Sequence, residues 1–226
     1  MTAFKSFFLL LALSAIPQLA GAQTYNPILD EYHHNKNFAN QPKRDPNLYA
    51  EIEGSPYLNT EFTDGMVCFR DSSALKLKLR YDIYASRMEY QINGVNYVIG
   101  NPQFLEKVII GESVFVYMNT DGKPGYFELL EPGRCALLLK RTMIFVPEEG
   151  PKPIEGIIKP AHFTRDADEL FLSVNGGIPA EIKNMKSVTA ALHDHEAQVE
   201  SFLENEKIKK ARQENLIKVV KYYNSL

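Results

Sequence analysis

Residues 75–84 constrain the fold of this chain more than any other stretch: Leu75, Leu77, Leu79, Tyr81 and Ile83 alternate with Lys76, Lys78, Arg80, Asp82 and Tyr84. Successive strand side chains point to opposite faces, so this period of two describes an antiparallel strand with one buried and one wet face. Met88, Tyr90 and Ile92 continue the pattern up to Asn93-Gly94. Asn-Gly between alternating runs predicts a hairpin, because a type I′ turn needs positive φ at both central residues. Residues 95–99 are the expected return strand, ended by Gly100-Asn101-Pro102.

Other runs of the same kind surround this hairpin. Residues 66–70 precede it, with a reversal at Asp71-Ser72-Ser73; residues 107–110, 113–118 and 126–130 follow, and Glu131-Pro132-Gly133 leads into a last long strand over 135–146. Short turns and no intervening helical period predict an antiparallel meander, curled into a sandwich or half-open barrel that covers its apolar face. The segment 147–160, with four prolines, is expected to be extended and exposed. Residues 170–174 read as one more strand, so the β domain is placed at 54–186.

Beyond Pro179 the chain has neither Gly nor Pro, and the period changes. Val188, Leu192, Val199 and Leu203 follow helical spacing after Ser187, a good N-cap; Leu216, Val219, Val220 and Tyr223 form a second stripe. One helix over 187–224 would run ~60 Å at 1.5 Å per residue, too long for such a domain. A C-cap at Asn205, with Ile208 just beyond, is therefore expected to divide 187–226 into a helical hairpin.

At the other end, Lys5 precedes an apolar run over 7–15, and Ala20-Gly21-Ala22 follows. A positive start, a short apolar middle and an A-x-A end predict a secretory signal peptide over 1–22, cleaved after Ala22. The run is shorter than the ~20 residues a spanning helix requires. The mature chain is then expected in a periplasm or outside the cell, with residues 23–53 as an irregular arm. Cys68 and Cys135 are the only cysteines. An oxidising compartment permits a disulfide that would constrain the unfolded chain by roughly 4 kcal/mol, and two separate buried thiols are the alternative.

A net charge of −3 leaves no basic footprint for nucleic acid, and no phosphate-loop, dinucleotide, H-E-x-x-H or C-x-x-C pattern points to a cofactor or metal. His193-Asp194-His195-Glu196 is dense in potential ligands, but i and i+2 lie about 200° apart on a helix, so a solvated polar face is the expectation. Gly111-Glu112-Ser113 lacks both the closing glycine and the helix of a nucleophile elbow. Asp64, Asp71, Asp82, Glu89, Glu128 and Glu131 lie in or beside the sheet, where a carboxylate pair at glycosidase spacing would support acid/base hydrolysis. Lys76, Lys78 and Arg80 make a basic stripe suited to an anionic sugar, phosphate or lipid headgroup, or else a solvated outer face. Tyr81, Tyr84, Tyr90 and Tyr97 cluster in neighbouring strands, as a stacking surface or as cross-strand packing.

Three segments carry a resemblance: Gly54-Ser55-Pro56-Tyr57-Leu58, Arg80-Tyr81-Asp82-Ile83-Tyr84, and the run from Glu214 through Leu216-Ile217-Lys218-Val219-Val220-Lys221-Tyr222-Tyr223 to Leu226. In these the chain resembles a group of uncharacterised secreted proteins of Bacteroidota over roughly residues 54–226. The resemblance implies an envelope location and carries no catalytic residues. The function expected is a non-enzymatic secreted or periplasmic protein that binds an envelope protein, glycan or surface component. A lipid carrier with its ligand inside a curved sheet is the alternative, and an acid/base hydrolase the third reading.

Overall fold

The computed structural model describes residues 41–120, 122–150 and 158–226. The expected signal peptide, His33, His34 and residues 151–157 of the proline-rich segment lie outside them.

The alternating run forms β2 (Ala74–Asp82), and Leu75, Leu77, Leu79 and Tyr81 are all buried. It pairs with β1 (Thr63–Phe69) on one side and β3 (Arg87–Ile92) on the other; β3 turns at Asn93-Gly94 into β4 (Val95–Val98). Asn93 and Gly94 have φ of 50° and 77°, as a type I′ turn demands. The sheet continues through β5 (Leu105–Ile110), β6 (Ser113–Thr120), β7 (Lys123–Glu131), β8 (Cys135–Lys140), β11 (Glu169–Val174) and β12 (Ala180–Glu181).

The expected single meander is corrected in its middle. The order is β12-β11-β8-β7-β6-β5-β1-β2-β3-β4, so β5 returns past the first hairpins to pair with β1 instead of β4. Its route is set by partners on both sides: Val67 faces Val108 across the β1–β5 pair, while the free edge of β4 is taken by residues 42–44. There the Arg44 amide donates to the Asn96 carbonyl at 2.8 Å and the Val98 amide to the Pro42 carbonyl at 3.0 Å, which covers an otherwise open edge. The expected strand over 135–146 also breaks. It stops at Lys140, where β11 pairs with the end of β8, and β9 (Met143–Val146) leaves to pair with β10 (His162–Arg165) in a separate two-stranded sheet.

In a flat sheet β2 and β6, with β1 and β5 between them, would stand about 14 Å apart. The Tyr81 ring of β2 instead lies 5.3 Å from Phe115 of β6 and 5.9 Å from Tyr126 of β7. The sheet therefore coils on itself around a core that includes Leu79, Tyr81, Met88, Tyr90, Val108 and Phe115. It stays open, since β4 and β12 are not partners. Gly65 permits the coiling: a Cβ there would meet the Ile109 carbonyl oxygen at 2.3 Å and the Leu79 side chain at 2.7 Å.

The same face continues over β8 and β11, where helices close it. Cys135, Leu137 and Leu172 pack against Val188, Leu192, Val199, Leu216, Val219, Val220 and Tyr223. Three helices carry these residues, with Leu192 at the C-cap of the first: α1 (Met185–Ala191), α2 (Glu196–Asn205) and α3 (Gln213–Asn224). The first expected helix is thus two, interrupted by a 3₁₀ turn at His193–His195. Asn184 is the N-cap, with Ser187 as its capping-box partner three residues on. Asn205 ends α2, but Lys207 takes the left-handed conformation, and the Ile208 amide returns to Leu203 at 2.9 Å. No helix among the described residues is long and apolar enough to cross a membrane.

Candidate functional site

The outer face of the β2–β3 hairpin is not the wet face that alternation predicts. Arg80 lies opposite Glu89, and Asp82 extends the same row; Asp82 and Glu89 are 0% exposed. Residues 41–62, without regular structure, cross above them as a strap. Arg44 from the strap bonds Asp82 at 2.7 Å and Glu89 at 2.8 Å, and Arg80 bonds Glu89 at 2.7 Å. The Tyr49 hydroxyl donates to Asp82 at 2.9 Å, and the Ala85 amide adds a bond to its other oxygen at 2.9 Å. Two guanidinium groups thus meet two carboxylates, and every charge removed from water is paired. Burial works to lower the Arg44 pKa, but Tyr49, Glu89 and Asp82 outweigh it and leave it raised. Burial and the Asp82 carboxylate push the Tyr49 phenol up to about 12.

This network overturns two expectations at once. Arg80 is not a free member of a basic stripe, because Glu89 neutralises it and it stacks on Tyr57 at 3.6 Å and Phe62 at 4.3 Å. Lys76 and Lys78 remain exposed along a separate outer groove of about 550 Å³, floored by Met66 and Ile109, where Lys78 pairs with Asp64 at 2.9 Å. Asp82 and Glu89 are not a hydrolytic pair in a cleft, being roofed and clamped by arginine. Two of the resembling segments meet here: Leu58 donates its amide to the Tyr81 carbonyl, and Ile83 donates to the Pro56 carbonyl, both at 2.9 Å.

The tyrosine cluster divides. Tyr81 and Tyr90 are buried in the core, and half-buried Tyr97 stacks on Tyr90 at 5.2 Å. Tyr84 points the other way, 45% exposed, and joins Tyr49, Phe145 and Phe163 with ring centroids 5.1–6.4 Å away. With Leu48, which is 48% exposed, and Ile52, these rings line an aromatic shelf enclosing about 390 Å³. The strap and the β9–β10 hairpin build it jointly, since Glu53 and Phe163 are joined by an amide-to-carbonyl bond of 2.9 Å. The strap contributions, Arg44 and Tyr49, lie in a polar stretch whose apolar residues keep no period, so no local pattern marks them as site residues.

Arg44, Ala85 and Arg87 separate the shelf from a second cavity, about 510 Å³, at the open end of the coiled sheet. Its walls include Lys43, Ser86, Gly100, Tyr117 and Tyr126. Burial drives the Tyr126 phenol far above its ordinary pKa, so it stays protonated, and its hydroxyl has no hydrogen-bond partner among the described residues.

The cysteines do not pair. Both are free thiols, and β5, β6 and β7 separate their strands in the sheet. Cys68 projects from the face of β1 opposite to its core residues Val67 and Phe69, whereas Cys135 is buried under the helices. Burial pushes the Cys135 thiol up to about 12. Asp194, in the histidine turn, accepts the Tyr223 hydroxyl at 2.9 Å, so that turn secures α3. Among the described residues no group of three His, Cys, Asp or Glu gathers as a metal site.

No protein family, no curated protein and no solved structure matches the chain.

Proposed function

We propose that the protein is an exported, non-enzymatic component of the cell envelope that binds a glycan on the aromatic shelf, in keeping with its resemblance to secreted Bacteroidota proteins. The observation that carries this reading is Tyr84: a large ring left 45% exposed, already braced edge-on by Tyr49 and at a tilt by Phe163. Sugar rings present C–H faces that pack on such a surface at little conformational cost, and Arg87 on the rim supplies donors. The carrier reading has less support. Of Leu77, Tyr81 and Ile83, which would line an interior ligand cavity, Tyr81 and Ile83 are buried in the packed core, and Leu77 borders the outer groove beside Lys76 and Lys78.

The test is titration of the purified protein with envelope polysaccharide fragments and neutral oligosaccharides such as chitotetraose, read by saturation-transfer NMR. Binding should place the sugar protons on aromatic side chains and should weaken about tenfold or more in Tyr84→Ala, whose melting temperature stays within a few degrees of the parent. Absence of any glycan signal, with a protein captured at Tyr84 by crosslinking in intact envelopes, would replace the glycan by a protein partner.

A further inference from the structure

Among the described residues, one strand edge lacks the protection the others have. Residues 42–44 cover β4, and β12, at the far end of the large sheet, is two residues long and carries Glu181. In the small sheet the strap covers β10: the Glu53 amide donates to the Ala161 carbonyl and the Phe163 amide to the Glu53 carbonyl, both at 2.9 Å. No described strand or bridge pairs with the opposite edge, that of β9. Its sequence, Met143-Ile144-Phe145-Val146, holds none of the charges or prolines that usually blunt an edge.

The hydrogen bonds fix which groups this edge presents. In an antiparallel ladder the N–H and C=O of one residue point the same way, and successive residues alternate. Phe163 turns its amide towards Glu53, so Phe145, directly opposite it, turns its own backbone groups away from β10. In keeping with this, the Asp166 amide donates to the Thr142 carbonyl at 3.2 Å, so the even-numbered residues point inwards to β10. Met143 and Phe145 therefore hold two amides and two carbonyls at the open edge. Between them Ile144, on the face opposite Phe145, is 42% exposed.

We infer that β9 pairs antiparallel with β9 of a second copy of this chain, about a two-fold axis at Ile144. In that register Met143 of each copy exchanges both backbone bonds with Phe145 of the other, so all four outward groups are used. Ile144 faces Ile144 in a non-hydrogen-bonded pair, where side chains approach most closely. Neighbouring registers are poorer. Centring on Phe145 sets Met143 against Pro147, which has no N–H. Centring on Met143 sets Phe145 against Arg141, beyond the end of the strand and held by Glu128 and Asp168 of its own chain. The strand is uncharged, and its flanks differ in sign, Lys140 before it and Glu148 after it, so antiparallel copies bring opposite charges to the same end. An edge of this kind complements itself, as a two-fold interface requires. The product is a four-stranded sheet, β10-β9-β9-β10, with Phe145 of both copies on one side. The pairing stands independently of the glycan reading.

The experiment is sedimentation equilibrium of the purified mature protein from ~1 µM to ~1 mM, a range over which a weak dimer forms by mass action. An edge of four residues is at the small end of interfaces, so a Kd of ~10–100 µM is expected. Deuterium exchange at the amides of Met143 and Phe145 should slow roughly threefold between ~5 µM and ~500 µM protein, following the loss of free monomer. In a Cys68→Ala background, Ile144→Cys should give a disulfide-linked dimer on mild oxidation. Val146→Cys should not, since the register sets the two copies of residue 146 ~13 Å apart along the strands. Ile144→Lys places two like charges face to face and should raise the Kd at least tenfold, with a melting temperature within a few degrees of the parent. Tyr84→Ala should dimerise as the parent does, which separates this interface from the shelf. A monomer at every concentration overturns the pairing. So does a dimer that keeps its affinity in Ile144→Lys, or that crosslinks at residue 146 as readily as at 144. Should Ile144→Lys fail to fold, the exchange and crosslinking results decide.

Discussion

Removing Arg44 should loosen the strap and expose the cost of the charges beneath it. Its side chain is 9% exposed, between two carboxylates that are 0% exposed. In Arg44→Met, Glu89 keeps Arg80, but Asp82 is left with the Tyr49 hydroxyl and the Ala85 amide and no positive partner. The buried network changes from neutral to one net negative charge. Breaking a buried pair from one side typically costs about 3–5 kcal/mol, because the surviving charge is stranded in a poorly polarisable environment. In a domain of this size each kcal/mol lowers the melting temperature by about 2–4 °C, so a fall of about 6–20 °C is expected. Urea denaturation gives the free energy directly, and hydrogen exchange should show early opening of the amides of Arg44 and Val98, which bond across to β4 and to the strap. A double-mutant cycle isolates the interaction: Asp82→Asn removes the stranded charge, so Arg44→Met with Asp82→Asn should be less damaging than the sum by about 1–3 kcal/mol. A loss below about 1 kcal/mol in Arg44→Met, or strict additivity in the cycle, would refute the reasoning, since either would mean that water reaches Asp82 and solvates it.

Three further outcomes follow from the geometry. Asn224 accepts the Cys135 amide at 2.8 Å and donates to the Cys135 carbonyl at 2.9 Å and the Pro132 carbonyl at 3.2 Å, so Asn224→Ala should cost about 1–3 kcal/mol by chemical denaturation; an unchanged midpoint would show that the end of α3 is not clamped to β8. Native protein treated with a thiol reagent should label Cys68 and leave Cys135 unmodified until unfolding, and a crosslinked pair found by mass spectrometry would contradict the strand order. Burial raises the phenols of Tyr49, Tyr81 and Tyr223 to about 12, against about 10 in an unfolded chain. Above pH 10 the unfolded state therefore holds fewer protons than the native state. The contribution of these groups is complete below pH 10 and is lost as pH rises towards 12. Tyrosinate absorbance should show a late phase that coincides with loss of structure, whereas uniform ionisation near pH 10 with circular dichroism intact would contradict their burial.

Much of the fold was legible because it is written within short stretches. The alternation over 75–84 produced β2, Asn93-Gly94 produced a type I′ turn, and the stripes at Val188–Leu192 and Leu216–Tyr223 produced helical faces buried on the sheet. Each signal is a relation among side chains a few residues apart, governed by the geometry of one strand or one helix. The site was less legible. Asp82 and Glu89 have the spacing of outward-facing residues, and only a strap from 38 and 45 positions earlier in the chain turns that face inward. The split of the tyrosines has the same origin: Tyr81 and Tyr84 are three residues apart, yet coiling takes one into the core, and the β9–β10 hairpin receives the other.

The sequence by itself determined the class of the fold, a mainly antiparallel β structure with helices at its C-terminal end, and the places where most strands turn. Tertiary structure alone decided that β5 returns to β1, that the two cysteines stay apart, and that the hairpin at Ile83–Arg87 borders both an aromatic shelf and a cationic cavity. The physical reason is the range of the forces. Alternation and turn chemistry are satisfied within one element, whereas pairing of edges, burial of charge and coiling of the sheet depend on which distant segment supplies the matching hydrogen bonds, counter-charge or apolar surface.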